Sequence, residues 1–174
     1  MRDFMKRSCS GGLVAALLFS AVAAVAQDSD NCVSVQASDQ PARQIFTCGD
    51  ALSFEREPTA ALKIVKQRND PAPRTIEVEN GAIFIAVTPG SKSTRIRTPH
   101  AIATVRGTTY VVDAQTDQTS VFVIEGEVAV RRPNSTSTVV LKAGEGVDAR
   151  QNAPLIVEEW GAERKAALLA RFGR

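Results

Sequence analysis

The sequence predicts an all-β domain: a short β-roll, solenoid-like or sandwich-like stack of antiparallel and coiled strands, with one C-terminal amphipathic helix. Three observations predict it. Residues 94–131 hold the densest run of β-favouring side chains, with Ile102, Val105, Tyr110, Val111, Val112, Val121, Phe122, Val123, Ile124, Val128 and Val130 cut by glycine or polar clusters into strand-length pieces. Glycine-marked corners recur at Gly81, Gly107, Gly126 and the Gly144/Gly146 pair, spaced roughly twenty to twenty-five residues apart, as in repeat architectures. After Pro154 the composition turns to Ala, Leu, Glu, Arg and Lys, all good helix formers.

The chain opens with a basic start (Arg2, Lys6, Arg7) and an uncharged run, 12–26, that ends in Ala24-Val25-Ala26. A basic start, a short apolar centre and a small-x-small exit make a secretory signal peptide. Residues 1–26 are therefore expected to be removed between Ala26 and Gln27. The run is shorter than the ~20 residues a spanning helix needs, so no membrane span is expected in the mature chain. Of 21 Lys+Arg and 19 Asp+Glu, the signal removes three bases and one acid (Asp3), leaving 18 of each. A neutral mature chain lacks the concentrated basic face that nucleic acid requires. Two cysteines remain, Cys32 and Cys48, and an even count in an exported chain reads as a disulfide.

Residues 27–156 then read as one β domain. Weak strands are expected at 33–35 and 45–47, tied by the disulfide. Asp50 to Phe54 precedes a polar, proline-containing patch at 55–59. Residues 60–66 read as a strand because Ile64-Val65 is β-branched and Asn69-Asp70-Pro71 stops it. Pro71 and Pro73 hold an extended loop. Ile76/Val78 and Ile83/Ile85/Val87 alternate around Asn80-Gly81, a tight-turn signal. Residues 94–98 alternate again, and Pro99 suits a strand start or edge. Gly107 and Gly126 fall within apolar runs, where a strand must bend or bulge.

Residues 157–172 are expected to be helical. Glu158, Glu159 and Glu163 come early and Arg164, Lys165 and Arg171 late, the order the helix dipole prefers. Trp160, Ala167, Leu168 and Phe172 share a stripe. That stripe is expected to lie against the β core or to cover its open end or edge, with Trp160 as an anchor. The helix and tail, 157–174, thus form the third section of the chain.

The motif residues carry a resemblance. Thr98, Pro99 and Ala101, then Gly107-Thr108, Glu125-Gly126 and Gly144-Glu145, stand in the pattern TPHA, VRGT, VFVIEGEVAV and LKAGE. The chain resembles the FecR domain family of bacterial periplasmic proteins, most strongly over 95–147. The resemblance implies an all-β periplasmic domain that brings no catalytic residues. In well-known members it follows a cytoplasmic anti-sigma segment and a membrane helix, and relays signals from an outer-membrane iron-siderophore receptor to a sigma factor. Only about ten residues precede the apolar run here, too few for a folded sigma-binding segment, so a stand-alone form is expected.

Candidate chemistry is sparse. His100 is the only histidine and has no metal or acid–base partner beside it. Glu125 and Glu127 resemble a glycosidase carboxylate pair but flank a glycine, and solvated corner acids explain them. Ser91 separates Gly90 from Lys92, which breaks a phosphate-loop pattern. Asn134-Ser135-Thr136 is formally a glycosylation sequon that a polar turn explains. Lys92, Arg95 and Arg97, with Arg106 nearby, could form a patch for an anionic partner, since Arg95 and Arg97 share a strand face; a solvated strand face with gatekeeper charges is the weightier explanation. No cofactor is expected. The expectation is a non-enzymatic exported module that holds an envelope protein or glycan. The alternative is a signal-relay component of a sigma-factor and TonB-dependent receptor system of the iron-siderophore type. Homo-oligomers are compatible with either.

Overall fold

The computed structural model describes residues 32–65 and 75–174. The expected signal peptide, its cleavage point and the Pro71/Pro73 loop lie outside the described residues. In chain order the strands are β1 (Cys32–Gln36), β2 (Gln44–Cys48), β3 (Leu52–Arg56), β4 (Ala61–Val65), β5 (Thr75–Val87), β6 (Thr94–Arg97) and β7 (Ile102–Val105). β8 (Thr109–Ala114), β9 (Gln118–Glu125), β10 (Glu127–Arg131), β11 (Thr138–Lys142), β12 (Glu145–Arg150) and β13 (Glu158–Glu159) follow, then α1 (Ala162–Ala170).

These strands form one curled sheet whose two halves share β5. The first half runs β1-β2-β3-β5-β8-β9-β12-β13, using 81–87 of β5. The second runs β4-β5-β6-β7-β10-β11, using 75–80 of β5. Only β5 and β6 pair in parallel among the described residues. One continuous core contains inward residues of both halves: Ile83, Ile85, Tyr110, Val112, Val121 and Val123 from the first, and Ile76, Val78, Ile96, Val128, Val130 and Leu141 from the second. The curl is what encloses this core, so the fold has the two layers of a sandwich and the sheet-switching corners of a roll.

Asn80-Gly81, expected as a tight turn, is instead a corner inside one 13-residue strand. At Gly81 β5 leaves the second half and enters the first. Its φ is +83°, and a Cβ there would lie 2.6 Å from the Ala60 Cα, so both backbone conformation and space require glycine. Gly107, Gly126 and Gly144, all with positive φ, sit between strands of opposite halves rather than inside a strand. Gly146, paired with Gly144 in the sequence reading, is an ordinary strand residue of β12. A corner uses the same left-handed dihedral at glycine as a hairpin turn, so the Asn-Gly signal fits both.

β1, β2 and β4 lie where weak strands were expected, whereas β3 occupies a stretch read only as the approach to a polar patch. Cys32 and Cys48 face each other across β1 and β2 and form the disulfide, closing a loop worth about 3 kcal/mol on the chain-entropy view.

The terminal helix is shorter than expected. Residues 157–161 are extended, and Glu158–Glu159 pair with Glu145 and Gly146 as β13; α1 begins only at Ala162. Pairing to the open side of β12 outweighs the helix propensity of two glutamates. The helix also covers a face rather than an end. Trp160, Leu168 and Phe172 pack on Ala82, Phe84, Val111 and Phe122, which point outward from β5, β8 and β9. Ala167, assigned to the same stripe, is exposed. Leu155 and Val157, in the extended lead-in, are the C-terminal residues that pack against the main core.

Charge fixes the register of this docking. Arg171 donates to Glu57 and Asp113 at 2.6–2.7 Å, and Arg164 donates to Asp148 at 2.6 Å. Arg174 donates to Glu55 at 2.6 Å. Arg164 and Arg171 are two helical turns apart, about 10.5 Å at 1.5 Å per residue. Asp148 and Asp113 lie on strands two apart, about 9.6 Å at 4.8 Å per strand. The helix therefore crosses the strands, one basic stripe over one acidic row.

Candidate functional site

The FecR-like motif residues come together as scaffold. Thr98 Oγ1 accepts from the Ala101 amide at 2.9 Å and bonds Thr119 Oγ1 at 2.9 Å, which closes the turn that contains Pro99. Thr108 Oγ1 donates to the Glu127 carbonyl at 2.8 Å. A Cβ on Gly126 would sit 2.8 Å from the Gly107 carbonyl oxygen. The corners at Gly107 and Gly126 are thus stacked directly, and the motif encodes their interlock. Glu145 Oε2 accepts from the Lys142 amide at 2.7 Å and caps the turn around Gly144. Glu125 is exposed at the Gly126 corner. Among the described residues no group of three or more His, Cys, Asp or Glu is placed to hold a metal ion, and no helix is long and apolar enough to cross a membrane.

The cationic residues lie on the outer face of the second half. The first half has its outer face covered by α1, which is why β5, β8 and β9 are apolar at consecutive positions: 82–85, 110–112 and 121–123. The strands of the second half alternate instead. β6 reads buried Thr94, exposed Arg95, buried Ile96, exposed Arg97, and its outward residues meet solvent. The ladder register places Lys63, Glu77, Arg97, Ile102 and Arg131 in one row across β4, β5, β6, β7 and β10. A second row is Thr75, Arg95, Thr104, Ala129 and Val140. Ile102 lies in this outward row by register, between Arg97 and Arg131, yet is buried. Arg97 meets Glu77 only at 4.0 Å, with both side chains substantially exposed, so this pair contributes little. Lys92 precedes β6, and Arg106 is exposed after β7.

The result is a broad sheet face with more bases than acids, ending in the edge strand β11 and exposed Val140. Its chemistry suits an acidic partner surface: guanidinium forks for carboxylates, with short aliphatic and threonine side chains between them. The sequence brought Arg95 and Arg97 together by alternation. Lys63 and Arg131 join them only through cross-strand register, which alternation along a single strand does not carry.

Other charged groups belong to the α1 docking. Burial alone would raise the Glu55 carboxyl, but hydrogen bonds from Arg174 and Arg43 outweigh it and hold Glu55 below the usual carboxylate range. Asp148 is likewise lowered, with Arg164 and Ser120 overcoming its burial. Arg171 is raised because its bonds to Glu57 and Asp113 outweigh its burial. These carboxylates are spent on holding the tail and do not offer acid–base chemistry. His100 lies in the Thr98–Ala101 turn, at the loop end of the molecule, beside a cavity.

Comparison with known proteins bears on the fold and the motif residues. Residues 52–129 match the family described as FecR protein. A crystal structure of a candidate anti-sigma factor from Parabacteroides distasonis superposes with a TM-score of 0.57 at 20% identity. The match covers 80% of this chain and 62% of that one, so this chain spans less than two thirds of its length. A second crystal structure, also described as a candidate anti-sigma factor from that organism, aligns with the same coverage and identity at a TM-score of 0.49. No curated protein matches the chain. The segment from β3 to the middle of β10 is therefore FecR-like, built into a larger curled sheet that carries its own helical cover.

Proposed function

We propose that this protein is a periplasmic, non-enzymatic relay component of a sigma-factor regulatory system with a TonB-dependent receptor of the iron-siderophore type. The supporting observation is the FecR match over 52–129. It spans β3 to β9 and the start of β10, strands of both halves, with the corners at Gly81, Gly107 and Gly126. The fold shared with a candidate anti-sigma factor points the same way. The open outer face of the second half, with Lys63, Arg95 and Arg97 in adjacent rows, receives an acidic surface of the receptor or of an anti-sigma partner. Export through the 1–26 signal places the domain where such a receptor is reached. The envelope-scaffold reading, placed first from the sequence, ranks second, and the same basic face would then hold an acidic wall or surface glycan.

The test is photocrosslinking in cells from a probe at Thr104, which lies between Arg95 and Ala129 in the register, combined with an Arg95→Glu/Arg97→Glu variant. The relay reading expects crosslinks to a receptor or anti-sigma protein, and altered transcription from the sigma-dependent promoter with an unchanged melting temperature. Crosslinks to glycan alone, with transcription unaffected, would replace relay by scaffolding.

A further inference from the structure

We infer that the loop end of the molecule carries a binding site for a small hydroxylated anion, a sugar acid or sugar phosphate. Three loops converge there around a cavity of about 370 Å³: the Thr98–Ala101 turn, the β10–β11 connection and the turn after β12. Its wall includes Pro99, His100, Arg132, Asn134, Arg150 and Asn152, and no carboxylate. The site is separate from the basic sheet face and stands whether or not the relay reading holds.

Each loop is held from behind, so the wall is preorganised. Thr98 Oγ1 bonds both Ala101 and Thr119. The Arg131 guanidinium donates to the carbonyls of Arg132, Pro133 and Ser135 at 3.2–3.3 Å, fixing the β10–β11 loop in place. Asn152 holds a left-handed φ of 60°, a conformation asparagine tolerates better than other non-glycine residues, and Ala153 closes that turn on the Arg150 carbonyl.

The donors that face this space are unspent. Arg132 and Arg150 form no ion pair and donate no side-chain hydrogen bond among the described residues, although Arg150 is near enough to Asp148 to help lower its carboxyl; Arg43, Arg164, Arg171 and Arg174 bond carboxylates directly. His100 makes no side-chain hydrogen bond there either; its Nδ1 is buried, which leaves Nε2 as the edge the cavity can reach. Two guanidinium groups and no acid select an oxyanion. The amides of Asn134, Gln151 and Asn152 and the Ser135 hydroxyl match hydroxyl groups, which both donate and accept. The size admits a molecule of one or two sugar units rather than a bare ion.

The test uses isotope-labelled protein purified after export, titrated with galacturonate, glucose 6-phosphate and galactose and followed by amide chemical shifts. Saturable shifts confined to His100, Arg132, Asn134, Ser135, Arg150, Gln151 and Asn152 are expected with at least one acidic sugar. Galacturonate alone identifies a carboxylate ligand and glucose 6-phosphate alone a phosphate, and either supports the site. Arg132→Ala and Arg150→Ala should each weaken binding tenfold or more, with Arg→Lys intermediate because it keeps charge but loses the fork. Neither arginine is in the core, so the melts should be unchanged. Equal binding of galactose, no saturable shift at millimolar ligand, or affinity indifferent to both substitutions would overturn the proposal.

Discussion

Gly146→Ala isolates the docking of the tail with one methyl group. Gly146 has no left-handed backbone; its constraint is space alone. A Cβ there would lie 2.3 Å from Trp160 Cε2 and 2.4 Å from Nε1, well inside contact distance. The indole is held between the Phe122 ring, stacked at 5.1 Å, and the Arg164 guanidinium, 3.4 Å above it, so it cannot shift without leaving both. Overpacking of this kind costs about 1–3 kcal/mol. Full expulsion of the indole forfeits about 1.5–3 kcal/mol of burial. Alanine in a strand offsets roughly 0.5–1 kcal/mol relative to glycine. The expected net loss is about 0.5–2.5 kcal/mol, a drop of roughly 2–8 °C in a domain of this size. Trp160 is the only tryptophan, so its emission reports the event directly and should shift to the red. In a Trp160→Ala background the same glycine change should become neutral or stabilising. An unchanged emission maximum together with an unchanged melt would refute the docking described here.

Phe172→Ala should cost about 3–5 kcal/mol, as for other buried phenylalanines; Phe172 is fully buried against Phe84 at 5.8 Å. Urea titration measures it, and self-association on size-exclusion chromatography is expected as Phe84, Val111 and Phe122 become exposed. Glu55 and Asp148 are held below their ordinary values in the folded protein, so their stabilisation is present above the unfolded values and lost as pH falls through the folded ones. The melting temperature should therefore drop between about pH 5 and pH 3, and Glu55→Gln should lower it at neutral pH while flattening the acid limb. Tyr110→Phe should be neutral or stabilising by about 1 kcal/mol in chemical denaturation, since the Tyr110 hydroxyl is buried with no hydrogen-bond partner among the described residues and such a group carries an uncompensated desolvation cost.

Strand identity and corner positions were legible because they rest on local chemistry. Side-chain alternation gives β6, and positive-φ demand marks Gly81, Gly107, Gly126 and Gly144. What each corner joins was not legible. Gly81 reads as a hairpin turn, since hairpin and corner share one dihedral and differ only in whether the second segment pairs back on the first. The consecutive apolar residues at 82–85 and 121–123 did hold a signal for a strand covered on both faces, and α1 is the cover. The loop-end cavity escaped because Pro99, Arg132 and Arg150 are distant in the chain and meet only when three connections converge.

The sequence by itself determined the class of fold, the pairing of Cys32 with Cys48, the amphipathic tail and the resemblance that the comparison over 52–129 supports. The disulfide follows from two cysteines left in an exported chain, and the others from spacing within a short window, where backbone preference and apolar periodicity act directly. Tertiary structure alone decided that β5 serves two halves, that 158–159 pair as a strand before the helix starts, and that α1 lies on a face. It also decided which arginines are spent on Glu55, Glu57, Asp113 and Asp148 and which remain for a ligand. A charge's partner is set by the distance between elements far apart in sequence, and that distance exists only once the sheet has curled.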